Sequence, residues 1–229
     1  DFSPDLQDLV ISTSPKTHIQ ELIVPKSFHD RINRILREYK QKEKIKKFGL
    51  TNRRKILLAG SPGTGKTMTA SVIACELSLP LYTVLMDKLI TKFMGETSAK
   101  LRQIFDFINK HRGVYLFDEF DAIGTERAKD NDVGEMRRVL NAFLQFIEHD
   151  DSESFIIAAT NNLNLLDQAL FRRFDDVIHY NKPDEVLIDK LIKNRLGQFH
   201  GRFNTSAITS HANGLSHADI AQACDDSIK

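Results

Sequence analysis

Eight consecutive residues restrict this chain more than any other feature: Gly60-Ser61-Pro62-Gly63-Thr64-Gly65-Lys66-Thr67. They fit G-x-x-x-x-G-K-[ST]. They fall between a short apolar run, residues 55–59 (K-I-L-L-A), and a helical pattern carrying Thr69, Ala70, Val72, Ile73 and Leu77. Strand, glycine turn and helix form the context in which such a loop works. The glycines let backbone N–H groups turn inward around phosphate oxygens, where a Cβ would obstruct them. The helix start adds a favourable dipole, Lys66 reaches the terminal phosphates, and the Thr67 hydroxyl is placed for Mg²⁺. Pro62, Gly63, Thr64 and Gly65 complete the expected cradle. A Gly-rich turn without a ligand is the plainer alternative, and it leaves the flanking strand and helix unexplained.

Some fifty residues on, Asp118 and Glu119 close a second apolar run, residues 114–117 (V-Y-L-F). Ligands of a parallel sheet bind beyond the carboxyl ends of its strands, so this pair points at the same crevice as the glycine loop. Asp118 suits an outer-sphere or water-mediated contact with Mg²⁺, and Glu119 can polarise a water for in-line attack on a γ-phosphate. A kinase needs no such second carboxylate, whereas a hydrolase does. Two solvated charges at a strand end are the alternative.

Further apolar runs at residues 81–85, 155–159 and 177–180 alternate with helical patterns at residues 101–109 and 136–148. Short continuous apolar strands between helices predict a parallel sheet covered on both faces. After Pro183 the pattern is helical only, over about residues 184–200, 205–212 and 216–229. The expected organisation is an N-terminal arm or linker (residues 1–20), an α/β nucleotide-binding domain (21–182) and a small all-helical lid (183–229) that ends early, as in a trimmed piece of a longer protein. A chain of 229 residues, 41% hydrophobic and 28% charged, can bury a core of that size, which excludes a disordered or disulfide-dense chain. Cys75 and Cys224 lack a partner at metal-ligand spacing and read as buried thiols in a reducing cytoplasm. No apolar run is long enough for a membrane span. Residues 31–55 hold eleven Lys/Arg against Glu38 and Glu43. A nucleic-acid footprint is one reading of that strip. The favoured one is a solvated helix face over a buried stripe of Ile32, Ile35, Leu36 and Tyr39.

With these motifs the chain resembles the AAA ATPases, over residues 23 to 226. Three more segments carry the resemblance. Ala158-Ala159-Thr160-Asn161 is similar to the family's A-A-T-N, whose Asn helps to place the attacking water. Leu166-Asp167-Gln168-Ala169-Leu170-Phe171-Arg172-Arg173-Phe174-Asp175 resembles L-D-x-A-L…R…R-F-D, whose arginines reach the neighbouring subunit's ATP. The two residues that usually separate those arginines are missing here, so both Arg172 and Arg173 are candidates; surface pairing with Asp175 and Asp176 is the alternative. Gly214-Leu215-Ser216-His217-Ala218-Asp219-Ile220 is similar to the lid signature, with His217 where Gly is frequent and Ala218 as the expected adenine neighbour. Leu22-Ile23-Val24-Pro25 stands where family members touch adenine through the backbone.

The resemblance implies ATP and Mg²⁺ as ligands and a homo-oligomer, a hexameric ring. Lys92-Phe93-Met94, followed by Gly95-Glu96-Thr97, looks like the family's pore loop, in which an exposed aromatic grips an extended polypeptide; a core anchor is the alternative for Phe93. Residues 126–134 read as a second, charged loop facing the channel. The function expected is ATP hydrolysis that drives remodelling or unfolding of a protein substrate in the cytoplasm. A nucleic-acid motor or loader and a nucleotide-gated assembly switch are the other readings.

Overall fold

The computed structural model describes residues 4–93, 95–123, 130–162, 168–202 and 205–229. The sheet strands are β1 (Val10–Thr13), β2 (Lys55–Gly60), β3 (Leu81–Leu85), β4 (Val114–Asp118), β5 (Phe155–Thr160) and β6 (Asp176–Tyr180). They lie in the order β1-β3-β4-β5-β2-β6, and all neighbours except β1 and β3 run parallel.

The apolar runs are continuous because both faces of the sheet are covered and successive side chains alternate between them. Leu57, Tyr115, Phe117, Ile156 and Ala158 point to one core, closed by α6 (Thr97–Lys110) and α7 (Asp130–His149). Ile56, Leu58, Leu116, Ile157 and Ala159 point to the other, closed by α2 (Lys26–Lys40) and α4 (Lys66–Glu76). A separate cluster of Ile188, Ile192, Leu196, Ala212, Ile220 and Cys224 joins α9 (Glu185–Leu196), α10 (Thr205–His211) and α11 (His217–Ile228).

Four expectations need correction. The N-terminal segment is not a loose arm: α1 (Pro4–Gln7) leads into β1, which pairs with β3 from Val10↔Val84 to Thr13↔Leu81, and Leu6, Leu9 and Val10 are buried. The sheet is therefore mixed, with one antiparallel edge. The basic helix is two helices, α2 and α3 (Lys42–Lys46), broken at Gln41. In the expected charged loop at residues 126–134, the backbone from Asp130 is already α7, and residues 126–129 lie outside the described set. Cys75 is partly exposed, whereas Cys224 is buried as expected.

Two further short helices are α5 (Met86–Lys92), after β3, and α8 (Gln168–Phe171), before β6. The basic strip packs as expected through Ile32, Ile35, Leu36 and Tyr39.

Gly60 ends β2 opposite Tyr180 of β6. A Cβ there would stand 2.4 Å from the Tyr180 carbonyl oxygen, which is backbone and cannot yield. Gly60→Ala is expected to lower stability by about 1–3 kcal/mol, a melting temperature roughly 2–10 °C below wild type for a chain of this size. An unchanged melting curve would count against this strand register.

Candidate functional site

Three parallel strands, β2, β4 and β5, deliver their carboxyl ends to one crevice. The loop after β2 wraps a cleft of about 870 Å³ that also takes in Asp118, Glu119, Asn161, residues 21–24 and the lid. Gly63 and Gly65 hold φ of +73° and +105°, a region that side chains resist, and this bend precedes α4. Among the described residues no backbone hydrogen bond uses the N–H of Gly63, Gly65, Lys66 or Thr67. A row of unpaired amides at the start of an eleven-residue helix is an anion seat.

Lys66 sharpens that seat. Its Nζ donates to the Gly60 carbonyl at 2.6 Å, the Ser61 carbonyl at 3.0 Å and Asn161 Oδ1 at 2.8 Å, all neutral acceptors. Burial holds its pKa below the ordinary lysine value, against the pull of Asp118 and Asp121. A buried ammonium without a carboxylate in contact fits a phosphate. The bend is braced from outside by Tyr180, whose hydroxyl donates to Thr69 Oγ1 at 2.5 Å, and Thr69 in turn donates to the Gly65 carbonyl at 3.1 Å.

Thr67 Oγ1 lies 3.4 Å from Asp118 Oδ2, and Asp118 Oδ1 accepts from the Glu119 N–H at 2.9 Å. Hydroxyl and carboxylate oxygens are the donor set of a hard cation, so Thr67 and Asp118 would hold Mg²⁺, which supplies charge neutralisation between phosphate oxygens. Glu119 adopts φ +55°, uncommon outside glycine and characteristic of functional positions. Its pKa is raised, first by burial and then by Asp87, Asp118 and Asp121. A more basic carboxylate is the better proton acceptor for a water.

Asn161 stands at the end of β5, bonded to Lys66. Its backbone N–H donates to Asp121 Oδ1 at 3.0 Å, and the Thr160 hydroxyl lies 3.4 Å from the same oxygen. Asp121 thus pins the end of β5 to the loop after β4. Sequence reading missed this residue; the signal available was a third carboxylate two positions after Glu119.

The lid meets the glycine bend directly. The Ala218 N–H donates to the Gly63 carbonyl at 3.0 Å, and a Cβ on Gly63 would stand 2.6 Å from Ser216 Oγ. Ser216 caps α11 through a reciprocal box with Asp219. Ala218, Ile23 and Val24 border the cleft on its lid side.

The remaining candidates stand apart from this cleft. Arg173 pairs with Glu148 at 2.6 Å, not with Asp175 or Asp176. Asp175 instead accepts from the N–H groups of Arg54 and Lys55 at the start of β2, and Asp176 pairs with Arg31. Arg172 is exposed, and among the described residues it has no polar partner. Phe93 is half-buried against the core, with Lys100 Nζ 4.9 Å and Lys92 Nζ 5.6 Å from its ring, and Lys92 pairs with Asp8 at 2.9 Å. Met94, Leu166 and Asp167 lie outside the described residues. No helix of the described residues is long and apolar enough to cross a membrane.

Comparison with known proteins agrees with this geometry. The family described as "ATPase family associated with various cellular activities (AAA)" matches residues 56–182. An AAA family ATPase of Sinorhizobium fredii is 34% identical over 228 residues, 100% of this chain and 69% of that protein. A proteasome-activating nucleotidase of Methanoregula boonei is 32% identical over 195 residues, 81% of this chain and 44% of its own length. An ATP-dependent zinc metalloprotease FtsH of Lachnoclostridium phytofermentans is 34% identical over 161 residues, 67% of this chain and 28% of its own. The chain thus spans less than half of the latter two. A family match over more than half the chain, with a relative 34% identical over all of it, places the chain in the AAA family of ATPases.

Proposed function

We propose that this ATPase works in a homo-oligomeric ring, a hexamer, in which each nucleotide cleft is completed by an arginine of the next subunit and hydrolysis drives remodelling of a protein substrate. One observation carries the reading. Of the described arginines, only Arg195 borders the cleft, and Asp225 holds it bidentately at 2.5 Å for each contact. The charge that develops on a transferring phosphoryl group calls for a mobile guanidinium. Exposed Arg172, with Arg173 beside it on a surface ion pair, is suited to supply it to a neighbour.

Phe93 is the residue proposed to grip substrate, with Lys92 and Met94 around it. Its ring is partly covered within one chain, so the gripping surface is the remaining exposed edge of the loop. The names of two relatives, a proteasome-activating nucleotidase and a metalloprotease, associate related motors with proteolysis and support a protein substrate. ATP and Mg²⁺ as ligands, and a cytoplasmic setting, belong to the same proposal.

The experiment is ATP turnover against protein concentration. Wild-type specific activity is expected to rise as subunits assemble, while Arg172→Ala and Arg173→Ala bind nucleotide normally and the variant lacking the finger loses about 10³-fold or more in turnover. Concentration-independent turnover, with both variants at the wild-type rate, would overturn the ring.

The nucleic-acid reading loses its main support in the fold. Arg31 pairs with Asp176, Arg53 with Glu38, Arg54 with Asp150 and Lys42 with Glu153, so much of the basic strip is already matched by acids of the chain itself.

A further inference from the structure

Glu119 and Asn161, the two residues read as acting on the attacking water, stand where the sheet no longer holds them. β4 and β5 pair as far as Phe117↔Ala158, and β5 stays paired with β2 as far as Ala59↔Thr160. Glu119 lies beyond the first of these ladders and Asn161 beyond both. Pairing of the strands therefore leaves their separation open.

One carboxylate bridges the gap. Glu119 leaves extended geometry at φ +55° and leads into the tight turn Phe120–Ile123, closed by the Ala122 N–H on the Glu119 carbonyl at 2.9 Å. Asp121 belongs to that turn. Its Oδ1 accepts from the Asn161 N–H at 3.0 Å, and the hydroxyl of buried Thr160 lies 3.4 Å from the same oxygen. Asn161 is held from a second side as well, where its Oδ1 accepts from Lys66 Nζ at 2.8 Å. The turn that fixes the Glu119 backbone thus also supplies the acceptor that fixes the Asn161 backbone. Placement at this precision matters to rate, since a shift of about 1 Å in a reacting group can cost roughly 10²-fold.

We propose that Asp121 is a positioning residue for hydrolysis: by holding the Asn161 amide it fixes Asn161 against Glu119, so that one water meets both side chains. It acts through the contact and not through its charge, and it touches neither water nor phosphate. This inference rests on Asn161 placing the attacking water. A cap that merely secured the end of β5 would support the fold without any dependence on the Asn161 side chain, and that difference can be measured.

The test is a cycle of Asp121→Ala, Asn161→Ala and the double variant, read as kcat with saturating ATP and Mg²⁺ and as ATP affinity by calorimetry. Asp121→Ala is expected to lower kcat by about 10- to 10²-fold with ATP affinity as in wild type. In the Asn161→Ala background the same change should cost little, because no side chain is left to position; a cap that serves only the fold would cost as much in either background. Asp121→Asn keeps an acceptor for the Asn161 N–H and is expected to recover most of the lost rate. Asp121→Leu keeps the bulk without the acceptor and stands in if the alanine variant fails to fold. Additive losses, a wild-type kcat in Asp121→Ala, or an Asp121→Asn variant as slow as the alanine one would each overturn the assignment. Wild-type turnover in Asn161→Ala alone would instead sink the role of Asn161 on which it rests.

Discussion

Glu119→Gln is expected to bind ATP with wild-type affinity and to turn it over at least about 10²-fold more slowly, the lower bound for loss of a positioned general base. The substitution keeps the side chain's size and its N–H contact with Asp118. It removes only the carboxylate whose basicity burial and three neighbouring acids have raised. Binding is read by calorimetry, turnover by phosphate release. The roles separate because Lys66 and the amides hold phosphate whether or not a water can be deprotonated. Hydrolysis at the wild-type rate would show that another group primes the water, and Asp121 would be the next candidate by position.

Lys66→Ala carries the second large effect, on binding and not on folding. Removing one partner of a desolvated charge pair costs about 2–5 kcal/mol, a loss of roughly 30-fold to several thousand-fold in ATP affinity. The nucleotide-free protein should be no less stable than wild type. Its side chain is buried, its three acceptors are neutral oxygens, and burial already disfavours its charged form. Calorimetry and a melting curve together test this. Retained ATP affinity would contradict the phosphate seat, and a large drop in melting temperature would mean that Lys66 chiefly braces the fold.

What could be read from the sequence was local, and what could not was long-range. The glycine bend announces itself because strand, turn and helix follow one another within about twenty residues, and each has its own composition signal. The strands β2, β4 and β5 announce themselves because burial on both faces demands unbroken apolar runs. β1 lacks that signal. Its burial pattern shows only Val10 inside and the next three residues exposed, and its partner Val84 lies far along the chain. An edge strand of four residues reads as loop until its neighbour is known. The arginine pair shows the same limit. Nearby Asp175 and Asp176 looked like natural partners, yet the fold spends both on β2 and α2 and gives Arg173 to Glu148 of α7. Asp121 was visible as a letter, but its role came only with the strand order that sets β4 beside β5.

The hydrogen bond from Ala218 to Gly63 makes the phosphate bend and the lid a single lever. α11 has twelve residues, about 18 Å of rigid rod whose first turn rests on the loop. A tilt of about 5° at that fulcrum carries the far end roughly 1.5 Å. A change in the shape of the bend would therefore move the outer surface of the lid by a distance comparable to a bond length.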